Sequence, residues 1–355
     1  MDFDGIRGLT QEINGSLAGF FAKESQYLRE IGSELDPVAD ALEHFLLDSG
    51  KRLRPLFATI GFLGAGGDLT PEIIRAVSSL ELVHVCALIH DDVMDASDTR
   101  RGAPAIHKQF EALHETEKLP GSASQFGVAS AILLGDLALI WAAKALHESG
   151  VAPELILRSL PIYDEMRVEL MAGQYLDVYE QALASESAER SLKVARYKSG
   201  KYSIERPLHF GATFAPGFSP EVIDIYSHYG LPLGEAFQLR DDVIGVFGDP
   251  EKTGKPAGDD LREGKRTVLV ATTLSKADGA QREKFLELFG RKELDLGHIN
   301  TLREIIIETG ALAELESIIE VMTSKAHDAL AHGGITPQAV DLLNQMAVAA
   351  TQRTS

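Results

Sequence analysis

Residues 71–95 read PEIIRAVSSLELVHVCALIHDDVMD, and their apolar side chains recur at intervals of three and four residues. This spacing is typical of a helix. The pair Thr70–Pro71 places a capping residue before a proline, which is a common helix start. We therefore predict a helix from Pro71 to about Ala96, with Asp91, Asp92 and Asp95 at its C-terminal end.

Carboxylates at a helix C-terminus face the negative end of the helix dipole, so they cost stability unless a cation offsets them. On this helix His84, Asp91 and Asp95 lie within about 40° of one another. Oxygen ligands without cysteine favour Mg²⁺ or Mn²⁺. A solvated acidic helix end explains a lone aspartate motif equally well. His90, next to the cluster, is interpreted as a packed residue or one that supports a ligand, rather than as a ligand itself.

A second aspartate pair ends another helical pattern, in QLRDDVIGVFGD at residues 238–249. Gln238 and Asp241 lie on one stripe of this predicted helix, with Asp242 beside it. Two carboxylate-rich helix ends in one chain favour a site where divalent metals hold a diphosphate.

The second motif is incomplete. Gly245 stands one turn after Asp241, where a full DDxxD motif would have its last aspartate. We expect one outer metal contact to be missing, with Asp249 or Asp260 as the candidates to replace it.

Basic residues occur where a bound anion would need them: Lys51, Arg52 and Arg54; Arg100 and Arg101; Lys198 and Lys201; and Lys255, Lys265 and Arg266. Arginine makes forked contacts with phosphate oxygens, whereas lysine acts as a point charge. The pattern therefore predicts that two anions are bound. Lys201 and Arg266 are interpreted as solvated surface residues.

The helical pattern continues through nearly the whole chain, without a competing strand series. The predicted helices cover residues 16–31, 36–48, 52–64, 71–95, 127–148, 153–180, 189–213, 219–246, 267–275, 280–289, 296–308, 311–332 and 336–350. No repeat or composition shift marks a boundary. We predict an all-α fold with one domain over residues 1–355 and a flexible start at residues 1–15.

Composition excludes several classes of protein. The net charge of −19 argues against a nucleic-acid partner, which would require clustered basic residues. One cysteine, Cys86, allows no intramolecular disulfide and suits the cytoplasm. The N-terminus lacks the basic and apolar regions of a signal peptide. Asp136 and Lys144 interrupt the apolar run at 128–146, which is therefore interpreted as a buried helix rather than a membrane span.

Five segments together resemble the trans-type isoprenyl diphosphate synthases, or polyprenyl synthetase family, and in particular bacterial geranylgeranyl diphosphate synthases. They are GKRLRP at 50–55, the first aspartate region at 81–102, AGQYLD at 172–177, YKSGKYS at 197–203 and the second aspartate region at 236–267. The resemblance implies an all-helical bundle around a central cavity and a homodimer. It also implies prenyl transfer that depends on Mg²⁺, with three ions and with Mn²⁺ as an alternative metal.

The resemblance also implies roles for single residues. The isopentenyl diphosphate site matches Lys51, Arg54, His84 and Arg101. The metal ligands match Asp91, Asp95 and Asp241, supported by Asp92 and Asp242. The allylic diphosphate site matches Arg100, Gln174, Asp177, Lys198, Gln238 and Lys255, and Ser199 stands where the family often has threonine. The catalytic groups are then Asp91, Asp95, Lys198 and Asp241.

Product length depends in this family on the residues four and five positions before the first aspartate. Bulky aromatics there close the pocket at fifteen carbons, whereas this chain has Ala87 and Cys86. We therefore expect a twenty-carbon product, with farnesyl or longer polyprenyl diphosphates as alternatives.

Two rival classes have different signatures. A class I terpene cyclase should carry a metal motif that ends in glutamate, but Asp224 and Ser227 are followed by Leu231 at that position. A non-catalytic partner subunit of a heteromeric prenyl synthase should have lost one aspartate cluster, and only Gly245 points that way.

Overall fold

The computed structural model describes residues 4–47, 50–100, 102–250, 258–291, 293–331 and 333–352. Within these ranges the chain is mostly helical. The strands in the described part of the chain are Thr99–Arg100 (β1) and Ala103–Pro104 (β2), which pair antiparallel. The predicted all-α class is confirmed.

The chain divides into two compact units, each assembled from segments that are distant in sequence. The first comprises Met1–Ile162, Pro207–Phe218 and Ile335–Leu342, and the second Tyr163–Arg206, Ser219–Gly334 and Leu343–Ser355. A single domain over the whole chain stays a prediction.

The first unit contains the following elements whole: α1 (Asp4–Ile31), α2 (Asp36–Leu47), α3 (Leu53–Gly64), α4 (Pro71–Met94), the β1–β2 hairpin, α5 (Ile106–Thr116) and α6 (Ala123–His147). A 3₁₀ turn, Ser33–Leu35, separates α1 from α2. In place of a flexible start, residues 4–15 belong to α1, and Ile13 is fully buried.

Three helices have residues in both units: α7 (Pro153–Ala182), α9 (Arg206–Thr213) and α16 (Pro337–Thr351). The second unit also contains α8 (Ala188–Val194), a π-helix (Ala195–Glu205), α10 (Pro220–Phe247), α11 (Asp259–Glu263), α12 (Val268–Lys276), α13 (Gly279–Leu288), α14 (Leu296–Glu308) and α15 (Ala311–Leu330).

Each aspartate cluster lies at the end of a long helix, and both helices begin with a capping side chain followed by a proline. At the start of α4 the Thr70 side chain accepts a hydrogen bond from the Ile73 N–H, and at the start of α10 Ser219 accepts one from Val222. A proline follows each cap and needs no hydrogen-bond acceptor for its nitrogen in the first turn. These caps set where each helix begins, and the length of the helix then sets where its aspartates lie.

The segment predicted as one helix at 189–213 is instead α8, the π-helix and α9. The backbones of two neighbouring helices lie close to the π-helix. A Cβ on Gly173 of α7 would lie 2.2 Å from the Lys198 nitrogen, and a Cβ on Gly234 of α10 would lie 2.6 Å from the Gly200 Cα. Only glycine allows α7 and α10 to approach the π-helix this closely.

Among the residues that the structure describes, two helices, α4 and α6, are long and apolar enough to cross a membrane by length and composition. In α4, 72% of the apolar window is buried within the protein, as expected for a core helix. In α6 the buried share is 39%, so much of its apolar surface is exposed. The predicted buried helix at 128–146 is therefore buried only in part.

Candidate active site

The first aspartate cluster closes the C-terminal end of α4. Asp91 and Asp92 lie in its last turn, and Asp95 is the capping residue, whose N–H donates to the Asp91 carbonyl at 2.8 Å. Asp92 is only 1% exposed, whereas Asp91 and Asp95 are half-buried. Two of the three carboxylates are thus accessible to a ligand at the helix end.

Arg100, in the β1–β2 hairpin, contacts this cluster. Its Nη2 lies 2.6 Å from Asp92 Oδ1 and 3.5 Å from Asp91 Oδ2. Burial lowers the Arg100 pKa, but the hydrogen bond to Asp92 and the charges of the aspartates outweigh it, so the net shift is upward. Arg100 is therefore a permanent cation in contact with Asp92 and close to Asp91. Arg101, predicted to bind isopentenyl diphosphate, lies outside the described residues.

The other residues predicted to bind isopentenyl diphosphate precede this cluster in the sequence. Arg54 opens the first turn of α3 and is 8% exposed, and Lys51 just before the helix is exposed. His84 lies on α4 two turns before Asp91 and is half-buried. The first unit therefore carries two cations and one imidazole from the predicted set, in addition to Arg100.

In the second unit the π-helix brings two predicted allylic-site residues into contact. Lys198 Nζ lies 2.6 Å from Asp177 Oδ2 of α7. Ser199 beside it is buried, and Gln174, one turn before Asp177, is half-buried. π-Helical segments occur often at functional sites. Here the segment carries both lysines of the YKSGKYS motif, Lys198 and Lys201.

The second aspartate pair lies in the last two turns of α10. Gln238 Nε2 donates to Asp242 Oδ1 at 2.9 Å. Burial raises the pKa of Asp242 well above its usual range; the hydrogen bond from Gln238 opposes this, and the charges of Asp260 and Asp241 add to it. Asp241 itself is half-buried. A nearby divalent cation would favour the ionised form of Asp242.

Asp260 occupies the space that the missing third aspartate would use. A Cβ built on Gly245 would lie 1.9 Å from Asp260 Oδ2 and 2.5 Å from its Cγ. Leu261, the next residue of α11, is fully buried in the same apolar cluster as Val243 and Val246 of α10. Of the two candidates from the sequence, the structure places Asp260 at this position, so the second cluster keeps three carboxylates.

A model of the polyprenyl synthetase family matches residues 36–306. The chain belongs to this family. It is 32% identical to geranylfarnesyl diphosphate synthase of Aeropyrum pernix, over 87% of this chain and 92% of that protein. It is 31% identical to geranylgeranyl diphosphate synthase of Methanosarcina mazei, over 77% of each chain.

Among solved structures, the chain resembles a geranylgeranyl pyrophosphate synthase of Corynebacterium glutamicum, in complex with isoprenyl diphosphate and magnesium. The two share 40% identity with a TM-score of 0.94, and the match covers 99% of this chain and 100% of the other. The resemblance seen in the motifs is thus confirmed, and the protein is a trans-prenyltransferase of the polyprenyl synthetase family.

The donor set fits magnesium that arrives with a diphosphate. Among the residues that the structure describes, no three Asp, Glu, His or Cys side chains form a ready-made metal cage. Mg²⁺ usually binds one or two carboxylates together with substrate phosphates. Asp91 and Asp95 at the end of α4, and Asp241 in α10, are carboxylates of this kind, each within its own unit.

Two residues interpreted from the sequence as solvated are partly buried in the structure. Lys201 has only 14% of its side chain exposed and pairs with Glu169, which also accepts from Arg206 Nε at 2.7 Å. Arg266 is half-buried, with its guanidinium 5.0 Å from the Phe289 ring centroid. Glu169 is 32 residues from Lys201 in sequence, so no local motif indicates the pair.

His90 packs against α6, as interpreted from the sequence. Its Nε2 lies 3.1 Å from the Ile132 carbonyl, and a Cβ on Gly135 would lie 2.1 Å from the same nitrogen. His90 therefore fills a groove on α6 that exists because residue 135 is glycine. Lys255, predicted for the allylic site, lies outside the described residues.

Proposed function

We propose that the protein is a magnesium-dependent geranylgeranyl diphosphate synthase, which condenses isopentenyl diphosphate with an allylic diphosphate. The observation that carries this proposal is the C-terminal end of α4, where accessible Asp91 and Asp95 stand beside buried Asp92 and its partner Arg100. The name of the 40% identical synthase, solved with isoprenyl diphosphate and magnesium, supports it. The single cysteine suits the reducing cytoplasm, where we place the enzyme.

The chemistry requires charge stabilisation rather than a protein nucleophile. The bond between allylic C1 and the diphosphate oxygen breaks, and the double bond of isopentenyl diphosphate supplies the electron pair of the new carbon–carbon bond. A proton is then lost, with the released diphosphate as the base. Three Mg²⁺ ions, with Mn²⁺ as an alternative, would neutralise the departing diphosphate.

We assign the protein residues as follows. Asp91, Asp95 and Asp241 hold the metals, with Asp92 and Asp242 in support. Arg100, Gln174, Lys198, Ser199, Gln238 and Lys255 bind or orient the allylic diphosphate, and Asp177 orients Lys198. Lys51, Arg54, His84 and Arg101 bind isopentenyl diphosphate. Fixed cations aimed at developing charge lower the barrier without reorganisation during the reaction.

Product length is tested with the purified protein, Mg²⁺, labelled isopentenyl diphosphate and, separately, dimethylallyl, geranyl and farnesyl diphosphate. Ala87 is half-buried one turn before Asp91, and Cys86 beside it is fully buried. We expect a dominant twenty-carbon product. An Ala87→Phe variant should shift it to fifteen carbons, because a ring there would close the pocket.

Ala112→Phe is the control, since Ala112 is exposed on α5 and an added ring there should leave the product unchanged. A twenty-carbon product from Ala87→Phe would overturn the assignment of chain length to this position. No condensation by folded wild-type protein with any starter would overturn the enzymatic function itself.

We also propose that the enzyme is a homodimer and that a second copy covers the apolar face of α6. On that face Ile132, Leu133 and Ile140 are 45%, 66% and 63% exposed. Contiguous apolar surface of this kind usually marks an interaction site, and the resemblance to the family implies a dimer.

Light scattering during gel filtration should give about twice the chain mass of 38.5 kDa. Leu133→Glu with Ile140→Glu should give a monomer, whereas Leu286→Glu, at a 40% exposed position on α13, should leave the dimer intact. A monomeric wild type, or a double variant that stays dimeric, would exclude this interface.

A further inference from the structure

Arg52 lies between the other two basic residues of the GKRLRP motif, Lys51 and Arg54, but differs from both in its surroundings. It is 3% exposed and caps the N-terminus of α3 with φ 49° and ψ 35°, in the left-handed region. A non-glycine residue pays a steric cost for this conformation. Other interactions must therefore hold it.

The Arg52 guanidinium supplies those interactions. Its Nη1 lies 2.8 Å from Glu81 Oε1 of α4, its Nη2 donates to the Leu46 carbonyl of α2 at 2.6 Å, and its Nε donates to Asn14 Oδ1 of α1 at 2.8 Å. Each of its three nitrogens is thus engaged within the first unit. Arg52 is not an additional diphosphate ligand, in contrast to its neighbours in the motif.

Gly50 is part of the same arrangement. A Cβ at that position would lie 2.6 Å from Arg52 Nη1 and 3.2 Å from Glu81 Oε1. The backbone before Lys51 therefore passes directly over the Arg52–Glu81 pair. The motif needs glycine there because the ion pair occupies the space of a side chain.

A buried ion pair is weak evidence for stability, because well-packed apolar residues often replace such a pair without loss. Its two side chains are 2% and 3% exposed, so both charges have lost their water. The positions of Arg52 and Glu81 in the fold give a better explanation of why this chain has the pair. Arg52 adjoins Lys51, and Glu81 is one turn before His84 on α4. The pair therefore links two segments that carry predicted ligands of one diphosphate.

We propose that Arg52 and Glu81 are positioning residues for binding isopentenyl diphosphate. Their ion pair holds the left-handed turn that sets the directions of Lys51 and Arg54, and ties that turn to the helix carrying His84. This inference rests on the proposed role of Lys51 and Arg54 as diphosphate ligands. Misplacing such ligands by about 1 Å can cost a large factor in catalysis.

The test is the double variant Arg52→Met with Glu81→Leu, which removes both charges and keeps the volume apolar. We expect a melting temperature within a few degrees of wild type and a roughly tenfold higher KM for isopentenyl diphosphate. The KM for geranyl diphosphate should change less than twofold. The exposed pair of Lys23 and Glu148, at 2.7 Å in the same unit, provides the matched control Lys23→Met with Glu148→Leu, which should change neither KM.

Two further variants separate the possible failures. Arg54→Ala tests the proposed function: if it leaves the KM for isopentenyl diphosphate unchanged, the ligand assignment fails. If it raises that KM but the folded double variant does not, only the positioning role fails. Should the double variant not fold, Arg52→Lys replaces it, since lysine keeps the charge but cannot make all three contacts. A wild-type KM in Arg52→Lys would then refute the positioning role.

Discussion

Replacing Asp91 by alanine should lower kcat by roughly 10²–10³-fold, the loss seen when one preorganised charge-stabilising group is removed from an active site. Departure of the diphosphate builds up negative charge, and Asp91 is one of the carboxylates proposed to hold the metals that neutralise it. The stability of the metal-free protein should change by less than about 1 kcal/mol. Removing Asp91 relieves its repulsion with Asp92 and with the negative end of the α4 dipole, but it also removes a carboxylate 3.5 Å from Arg100 Nη2.

A large loss of kcat with little change in stability makes the experiment selective. A variant that loses activity because it misfolds would also lose stability, so kcat and the melting temperature in chelator should be measured on the same preparation. Asp98→Asn is the control, because Asp98 lies three residues beyond Asp95 and its side chain is 74% exposed. Near-normal kcat in Asp91→Ala, or an equal loss in Asp98→Asn, would contradict the assignment of the metals to α4.

Sequence periodicity located the long helices closely. The helix predicted from Pro71 to about Ala96 is Pro71–Met94, and the one predicted at 219–246 is Pro220–Phe247. Both have strong local signals, namely a capping residue, a proline and a long apolar repeat. The positions of the aspartates at the ends of these helices could therefore be predicted.

Residues 189–213 show where local signals fail. Their apolar spacing predicts a continuous α-helix, yet Ala195–Glu205 is π-helical. The surroundings of this segment come from elsewhere in the chain, because Gly173 and Gly234 allow α7 and α10 to contact its backbone. The spacing of apolar residues carries no information on such contacts, and for the same reason it does not predict the partial burial of Lys201 against Glu169.

Gly245 is a similar case with a functional consequence. From the sequence it is a missing carboxylate, and it was the only residue in favour of a non-catalytic subunit. In the structure Asp260 occupies the position, although 15 residues separate the two in the chain. The aspartates of one helix can be counted from a sequence motif, but a carboxylate that another helix places beside them, such as Asp260, cannot.

Restoring the complete motif with Gly245→Asp should therefore impair the enzyme. The new Cβ would lie 1.9 Å from Asp260 Oδ2, so the Asp260 carboxylate must move. Because only the end of a side chain is displaced, the fold should persist, although a further carboxylate in the last turn of α10 should lower the free energy of unfolding of the metal-free protein by about 0.3–1 kcal/mol. We expect a loss of about 10–100-fold in activity and in apparent Mg²⁺ affinity, as for other groups that support metal ligands.

The loss should be measured as kcat across a Mg²⁺ titration and as the increase in melting temperature that Mg²⁺ and inorganic diphosphate produce together. Gly245→Ala separates the two effects of the change, because it displaces Asp260 without adding a carboxylate, and it should be impaired but at least as stable as wild type. Gly8→Ala is its control, since a Cβ on Gly8 of α1 meets no atom within 4 Å.

The decisive variant combines Gly245→Asp with Asp260→Ala. If one carboxylate is required at this position, each single change should be impaired and the double variant should recover part of the loss, because the introduced aspartate then enters the space that Asp260 vacates. Such recovery is a coupling between the two positions, and effects that simply add would indicate independent roles. Wild-type Mg²⁺ dependence in both Asp260→Ala and Gly245→Asp would show that the second cluster functions with Asp241 and Asp242 alone.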